Sequence, residues 1–308
     1  LLTVADIRAV GPGTWNGWKG QLLRQLYYET ETLVAGGHSQ AGRKQRVEAA
    51  QAALGEALKD WPREEVDSFL DRHYPDYWLR TETRKQADHA RLLQQAAADG
   101  RDLATAFATN AFHSITELSV YAPNHPRLLA ALAGCCAAAG ANIVGAHIST
   151  TRDGFALDTF LLQRELPDDS DEHRRAARIG QTIEQVLMGE ARLSALLAKR
   201  RPVEKRIEAF TVAPAVVVDN SLSDQHTVIE VAGLDRPGLL YDLTSALSDL
   251  SLDITSAHIT TFGEKAVDVF YVTDLTGKKV VAEPRQKAIR ERLYSVLTGI
   301  PPPLKRGP

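Results

Sequence analysis

The chain has 308 residues, with 36 Lys and Arg against 39 Asp and Glu and a formal net charge of −3. That balance supplies no global field to draw nucleic acid or an anionic membrane surface, so neither is expected as a partner. Hydrophobic residues make up 44% and charged residues 24%, a globular composition that excludes disorder along the whole length and predicts two or three domains.

The sequence opens on Leu1 and its only Met is Met188. Leu1-Leu2-Thr3-Val4-Ala5 reads as the middle of a helix, so the chain is expected to be the C-terminal piece of a longer protein. The basic-then-apolar pattern of a signal peptide is absent from its start. Residues 1 to about 110 read as helical. Trp18, Leu22, Leu23, Leu26 and Tyr27 recur at helical spacing, with Thr14 as N-cap. A polar, Ala-rich stretch from Gln40 to Lys59 predicts a helix with a solvated face. Trp61-Pro62 opens another, ending near His73-Tyr74-Pro75. The aromatic patch Asp76-Tyr77-Trp78-Leu79-Arg80 has no basic stripe and is expected to pack rather than stack on bases. A further helix runs to about Gly100.

After Phe112 the pattern changes. Thr116 to Tyr121 alternates as a strand, and Pro126 opens a helix. That helix holds Cys135-Cys136, expected as two buried thiols in a reducing cytoplasm. Leu128 to Ala146 carries no charge, yet Gly134, Gly140 and Asn142 break it, which predicts helix then strand rather than a membrane span. Asn142 to Thr150 and Phe155 to Gln163 read as a hairpin turning at Asp153-Gly154. Ser170 to Arg200 reads as one long helix capped by Ser170. Phe210 to Val218 is a strand with Pro214 marking an edge or bulge. Thr227 to Ala232, a helix from Pro237, strands Asp253 to Thr261 and Ala266 to Thr273, and a helix Glu283 to Leu297 follow. Pro301 to Pro308 is a basic, Pro-rich tail.

The strongest signal is an internal repeat. Pro237 lies 111 positions after Pro126 (237 − 126). At that offset Leu128, Leu129 and Leu132 meet Leu239, Leu240 and Leu243, and Ala146-His147-Ile148 meets Ala257-His258-Ile259. After one residue lost in the hairpin turn, Asp158 and Phe160 meet Asp268 and Phe270. Each repeat reads strand, helix, strand, strand, helix, the ferredoxin-like split βαβ order, which gives an α+β class. The strand Phe210 to Val218 has two uses open to it: closing the first sheet, or pairing with Thr227 to Ala232.

The turn Leu234-Asp235-Arg236-Pro237-Gly238-Leu239 is the informative place. Pro237 pre-sets the first helical turn, and Gly238 permits close backbone approach. Free N–H groups at a helix start suit a carboxylate, and Asp235 can either cap the helix or hold an ammonium group. An α-amino acid carries both charges. In the first repeat the turn is Asn124-His125-Pro126-Arg127, with Arg127 in place of the glycine. His147 and His258 hold equivalent strand positions without further ligands at metal spacing and are expected to be structural or to line a ligand. Asp158 and Asp268 are expected on the solvent face or capping a turn.

Asp235-Arg236-Pro237-Gly238-Leu239-Leu240 followed by Ala257-His258-Ile259-Thr260-Thr261 resembles an ACT domain, an amino-acid-sensing regulatory module, and the first repeat resembles a diverged second copy. With Thr3-Val4-Ala5-Asp6-Ile7-Arg8, Trp15-Asn16-Gly17-Trp18-Lys19 and Tyr77-Trp78-Leu79-Arg80, the whole chain resembles the C-terminal part of the bifunctional uridylyltransferase/uridylyl-removing enzymes that modify the PII nitrogen-signalling protein. The resemblance implies 1–112 as the end of an HD phosphohydrolase domain and linker, 113–219 as the first ACT domain and 220–308 as the second. It implies glutamine as effector, bound by Asp235, Arg236, Pro237, Gly238 and Leu239, with Asn124 and His125 as the first-repeat counterparts. It implies PII as substrate of the parent enzyme, Mg²⁺ or Mn²⁺ as its metal, Asp6 as a remnant metal ligand, ACT–ACT pairing within or between chains, and a cytoplasmic setting. A transferase Gly-Ser motif with paired acids and the HD doublet are not found, so no complete catalytic set is expected in this chain.

Overall fold

The computed structural model describes residues 39–110, 114–199, 212–262 and 264–300. Thr14, Trp18, Asp6 and the tail from Pro301 lie outside them. Two compact units emerge: one holds the described residues up to Arg101 with Asn110, Ser114 and Thr151–Gly154, the other the remainder.

The first unit is built from α1 (Ser39–Ala57), α2 (Arg63–Arg72), α3 (Pro75–Arg80) and α4 (Thr83–Ala98). Pro62 precedes α2 and Pro75 opens α3, where a missing N–H costs nothing. Ala87, Ala90 and Leu93 recur at helical spacing on α4 and are buried together with Leu54, Phe69, Tyr77 and Trp78. The aromatic patch therefore forms the core of this unit. His73 stacks on Tyr77 with ring centroids 3.8 Å apart, and burial, helped by the neighbouring Arg72 charge, lowers its imidazole to about 3.

The second unit is one eight-stranded sheet: β1 (Ala104–Asn110), β2 (Ile115–Pro123), β3 (Ile143–His147), β4 (Phe155–Gln163), β5 (Ala215–Asp219), β6 (Thr227–Leu234), β7 (Leu252–Phe262) and β8 (Lys265–Asp274). Their order is β1-β2-β4-β3-β7-β8-β6-β5. The second half mirrors the first, as two copies of one unit joined edge to edge must. The helices are α5 (Leu128–Ala138), α6 (Asp169–Leu187), α7 (Leu193–Ala198), α8 (Leu239–Asp249) and α9 (Glu283–Thr298). α6 packs on α5, α5 on α8 and α8 on α9. One core holds Leu118, Leu132, Phe160, Leu243 and Phe270, and burying five such side chains contributes on the order of 10 kcal/mol.

Two expectations change, and one open alternative is decided. Residues 104–110 form a strand, not helix, because the sheet's outer edge offers their backbone a ladder beside β2. The strand near Pro214 pairs antiparallel with β6, Val217 opposite Glu230. It therefore belongs with the second repeat, the second of the two uses open to it. Ala104 and Ala215 begin the two outer strands 111 positions apart (215 − 104), so each repeat gains its fourth strand at its start and none is missing at its end. The helix expected from Ser170 to Arg200 stops at Leu187. Gly189 turns left-handed at φ +78°, and α7 follows as a separate turn. The N-cap of α6 is Asp168, not Ser170: its carboxylate accepts from the Ser170 and Asp171 amides.

The two repeats meet at a seam. β3 pairs antiparallel with β7, Gly145 opposite Thr260, Ala146 opposite Ile259 and His147 opposite His258. Above it α5 meets α8 at Gly134, where an added Cβ would stand 2.7 Å from Leu193 Cδ2 and 2.9 Å from Tyr241 Cδ2. Glycine is required there because Tyr241 occupies the space.

Candidate functional site at the second helix-opening turn

The chain leaves β6 at Leu234 and enters α8 at Leu239. Gly238 sits at φ +85°, ψ 3°, a left-handed conformation that glycine adopts without the clash a Cβ brings. The Leu239 amide donates to the Arg236 carbonyl at 3.0 Å, and the Asp242 amide to Gly238 at 3.0 Å. The N-cap position is held by Gly238 rather than Asp235. The carboxylate is turned sideways instead, accepting from Thr261 Oγ1 on β7 at 3.4 Å. Burial raises its pKa, opposed by hydrogen bonds from Thr261, the Arg236 amide and the Asn142 side chain and by the Arg236 charge.

A cavity of about 20 Å³ opens beside this carboxylate. The turn and α8 contribute Asp235, Gly238, Leu239 and Tyr241; β7 and β8 contribute Ile259, Thr261 and Asp268. The other repeat closes the cavity with Ala133, Ala137, Ala141 and Asn142. The site therefore lies at the seam and takes residues from both halves of the sheet. Such a volume admits about one water molecule.

Asp268 corrects the expectation of a solvent-facing strand carboxylate. It is buried, as is its counterpart Asp158. Each accepts one backbone amide, Asp268 from Thr260 at 3.4 Å and Asp158 from Ser149 at 3.3 Å. Burial pushes Asp158 up to about 7 and Asp268 up to about 8, with the Asp235 charge adding to the latter. The alternation carried the signal: the same-face neighbours of Asp268 are Ala266 and Phe270, and those of Asp158 are Ala156 and Phe160, all buried.

Of the expected ligand residues, Asp235, Gly238 and Leu239 converge on the cavity; Arg236 borders it while pairing with Asp242 at 2.6 Å. Pro237 holds the turn. Asn124 and His125 lie at the first-repeat turn. Asn124 Nδ2 donates to Thr150 Oγ1 at 3.4 Å, repeating the Asp235–Thr261 contact without the charge. His125 accepts the Leu128 amide on its carbonyl at 2.9 Å. Burial lowers its imidazole pKa. Arg127 stands at φ −106°, ψ 4°, so this turn lacks the left-handed step.

His147 and His258 sit at the seam; among the described residues no three His, Cys, Asp or Glu side chains gather as a metal group. Asp6 lies outside the described residues. Cys135 and Cys136 are buried, and burial pushes both thiols up to about 12, which removes them as nucleophiles at neutral pH. No helix among the described residues is long and apolar enough to cross a membrane. The Asp235 carboxylate and the start of α8 thus border the same cavity.

Comparison with family models agrees with the repeat. Residues 116–183 match the ACT domain, and residues 215–301 match the ACR9-like, ACT-like domain. The second match begins at Ala215, where β5 begins. The chain carries two ACT-type domains in tandem, an arrangement that points to a regulatory, ligand-binding role.

Proposed function

We propose that the tandem ACT unit is a glutamine-sensing regulatory region of a bifunctional uridylyltransferase/uridylyl-removing enzyme, controlling uridylylation and deuridylylation of PII. The observation that carries the ligand reading is the seam cavity, where the Asp235 carboxylate and the opening turn of α8 stand together under residues of the other repeat. Asp235 supplies the counter-charge for an ammonium group. The α8 start, opened by Gly238, supplies N–H donors and the positive dipole end for a carboxylate. Asn142, from the opposite repeat, is placed to reach a neutral amide.

Glutamine is several times larger than the water that the cavity admits. Binding must part α5 from α8 at the turn, and that movement is the route by which an effector without catalytic groups acts at a distance. A coupling of about 1–3 kcal/mol between effector and catalytic sites is typical. Catalysis, PII binding and the divalent metal Mg²⁺ or Mn²⁺ would belong to the parent enzyme, in a cytoplasmic setting.

A second reading, a tandem ACT interaction module without a small ligand, is favoured by the same cavity volume. Calorimetric titration of glutamine into the full 308-residue chain separates them. Saturable heat that Asp235→Ala removes supports sensing, and its absence in the folded wild type leaves the interaction module.

A further inference from the structure

The pseudo-two-fold relation between the repeats generates two turn sites, one on each side of the seam, and the side chains at them differ in a consistent way. The cavity at the Asp235 turn is walled from the other repeat by Ala133, Ala137 and Ala141. At the offset of 111 positions their counterparts are Thr244, Ser248 and Leu252. Each replaces a methyl group by a larger side chain. Thr244 and Leu252 are fully buried, and Ser248 Oγ shares its proton between the Thr244 carbonyl of its own helix at 2.9 Å and the Pro126 carbonyl, inside the first turn, at 3.3 Å.

Charge follows the same asymmetry. Asp235 has the neutral Asn124 as its counterpart, and Gly238 has Arg127. The Arg127 guanidinium crosses the seam to Asp249 at 3.4 Å, and Asp249 has Ala138 as its own counterpart. On this side, then, the chain carries one cation and one anion where the other side has neither Arg127 nor Asp249 equivalents.

We infer that the first-repeat turn is an internally occupied site: Thr244, Ser248 and Leu252 fill it, and the Arg127–Asp249 pair with the Ser248–Pro126 bond latches it, so that an effector can open and close the seam only on the Asp235 side. The filling carries most of the closure, since an ion pair this exposed contributes little by itself. The asymmetry makes the seam a hinge. One side is held by the chain, the other answers to ligand. The ligand-dependent half of this inference rests on the proposed sensing role of the Asp235 turn; the latch does not.

Hydrogen–deuterium exchange on the full chain tests both halves separately. Without ligand, amides at the start of α5 should be better protected, after correction for intrinsic rates, than their counterparts at the start of α8. Arg127→Ala and Asp249→Ala should each speed exchange at the α5 start roughly 1.5–5-fold, the range of an exposed ion pair. The α8 start should not change, and the charge-exchanged double variant Arg127→Asp with Asp249→Arg should restore protection. Equal protection of the two turns, or no response in either single variant, overturns the latch. Added glutamine should protect the Asp235 turn alone. Protection of the first turn overturns the one-sided arrangement. Protection of neither removes glutamine as the ligand, while the ligand-free comparison still decides the latch.

Discussion

His147 and His258 face each other across the β3–β7 seam, and each is the other's counterpart in the repeat, 111 positions apart (258 − 147). A residue paired with its own equivalent marks a two-fold axis. The axis passes between these histidines and brings each helix-opening turn against the end of the opposite repeat's helix. A ligand at either turn therefore bridges two repeats, which is the geometric condition for a small molecule to bias their arrangement.

Asp235→Ala removes the one carboxylate that the turn aims at the cavity. Losing a charge-assisted hydrogen bond costs about 1.5–3 kcal/mol, so glutamine affinity should fall roughly 10- to 150-fold. Stability should hold, because burial already disfavours that charge. Titration calorimetry and thermal unfolding of the same sample read both; unchanged affinity counts against the site.

Asp158 and Asp268 make stability fall with rising pH. Both folded-state pKa values are raised above 3.8, to about 7 and about 8. The native state therefore holds more protons than the unfolded chain over that interval. The sign follows: the contribution is full below pH 3.8 and is lost as pH climbs through about 7 and about 8. Each group contributes at most about 1.4 kcal/mol per pH unit within its window. The melting temperature should drop between pH 5 and pH 8, and Asp268→Asn, which keeps the neutral shape, should flatten the slope. An identical slope in that variant would remove Asp268 from the account.

Gly238→Val forces a β-branched residue into the left-handed region at φ +85°. The strain is of order 1–3 kcal/mol, and the turn that exposes the α8 amides should reorganise. Glutamine response should weaken while β6 and β8 stay paired. In the proposed uridylyltransferase/uridylyl-removing parent, assays of uridylyl transfer and removal should show blunted glutamine control with glutamine-independent transfer largely kept. Normal glutamine control in a folded variant sinks the sensor turn.

Gly134→Val drives a side chain into Tyr241 and Leu193, whose atoms would lie 2.9 and 2.7 Å from an added Cβ. Overpacking of this kind costs about 1–3 kcal/mol. Chemical denaturation should show the loss, and Tyr241→Ala in the same chain should return part of it. A strictly additive double variant would mean that the two residues do not share that space.

The repeat, the hairpins, the helices that follow Pro126 and Pro237 and the α+β class were all written in local patterns: strand alternation, proline and glycine placement, and a fixed offset. So was the Asp235–Gly238 turn, since the left-handed step at φ +85° favours glycine there. The first outer strand was not: its Ala- and Thr-rich sequence has no strand signal of its own and read as helix, and only the sheet edge beside β2 makes it a strand. Tertiary structure alone decided the rest. Which edges meet at the β3–β7 seam depends on backbone groups that every strand carries alike. That Asp268 is buried beside Asp235, and that Arg127 reaches Asp249 across 122 positions of sequence, follows from packing between repeats. Such contacts leave no periodicity in the chain, because the residues that make them are neighbours only after the two-fold arrangement has formed.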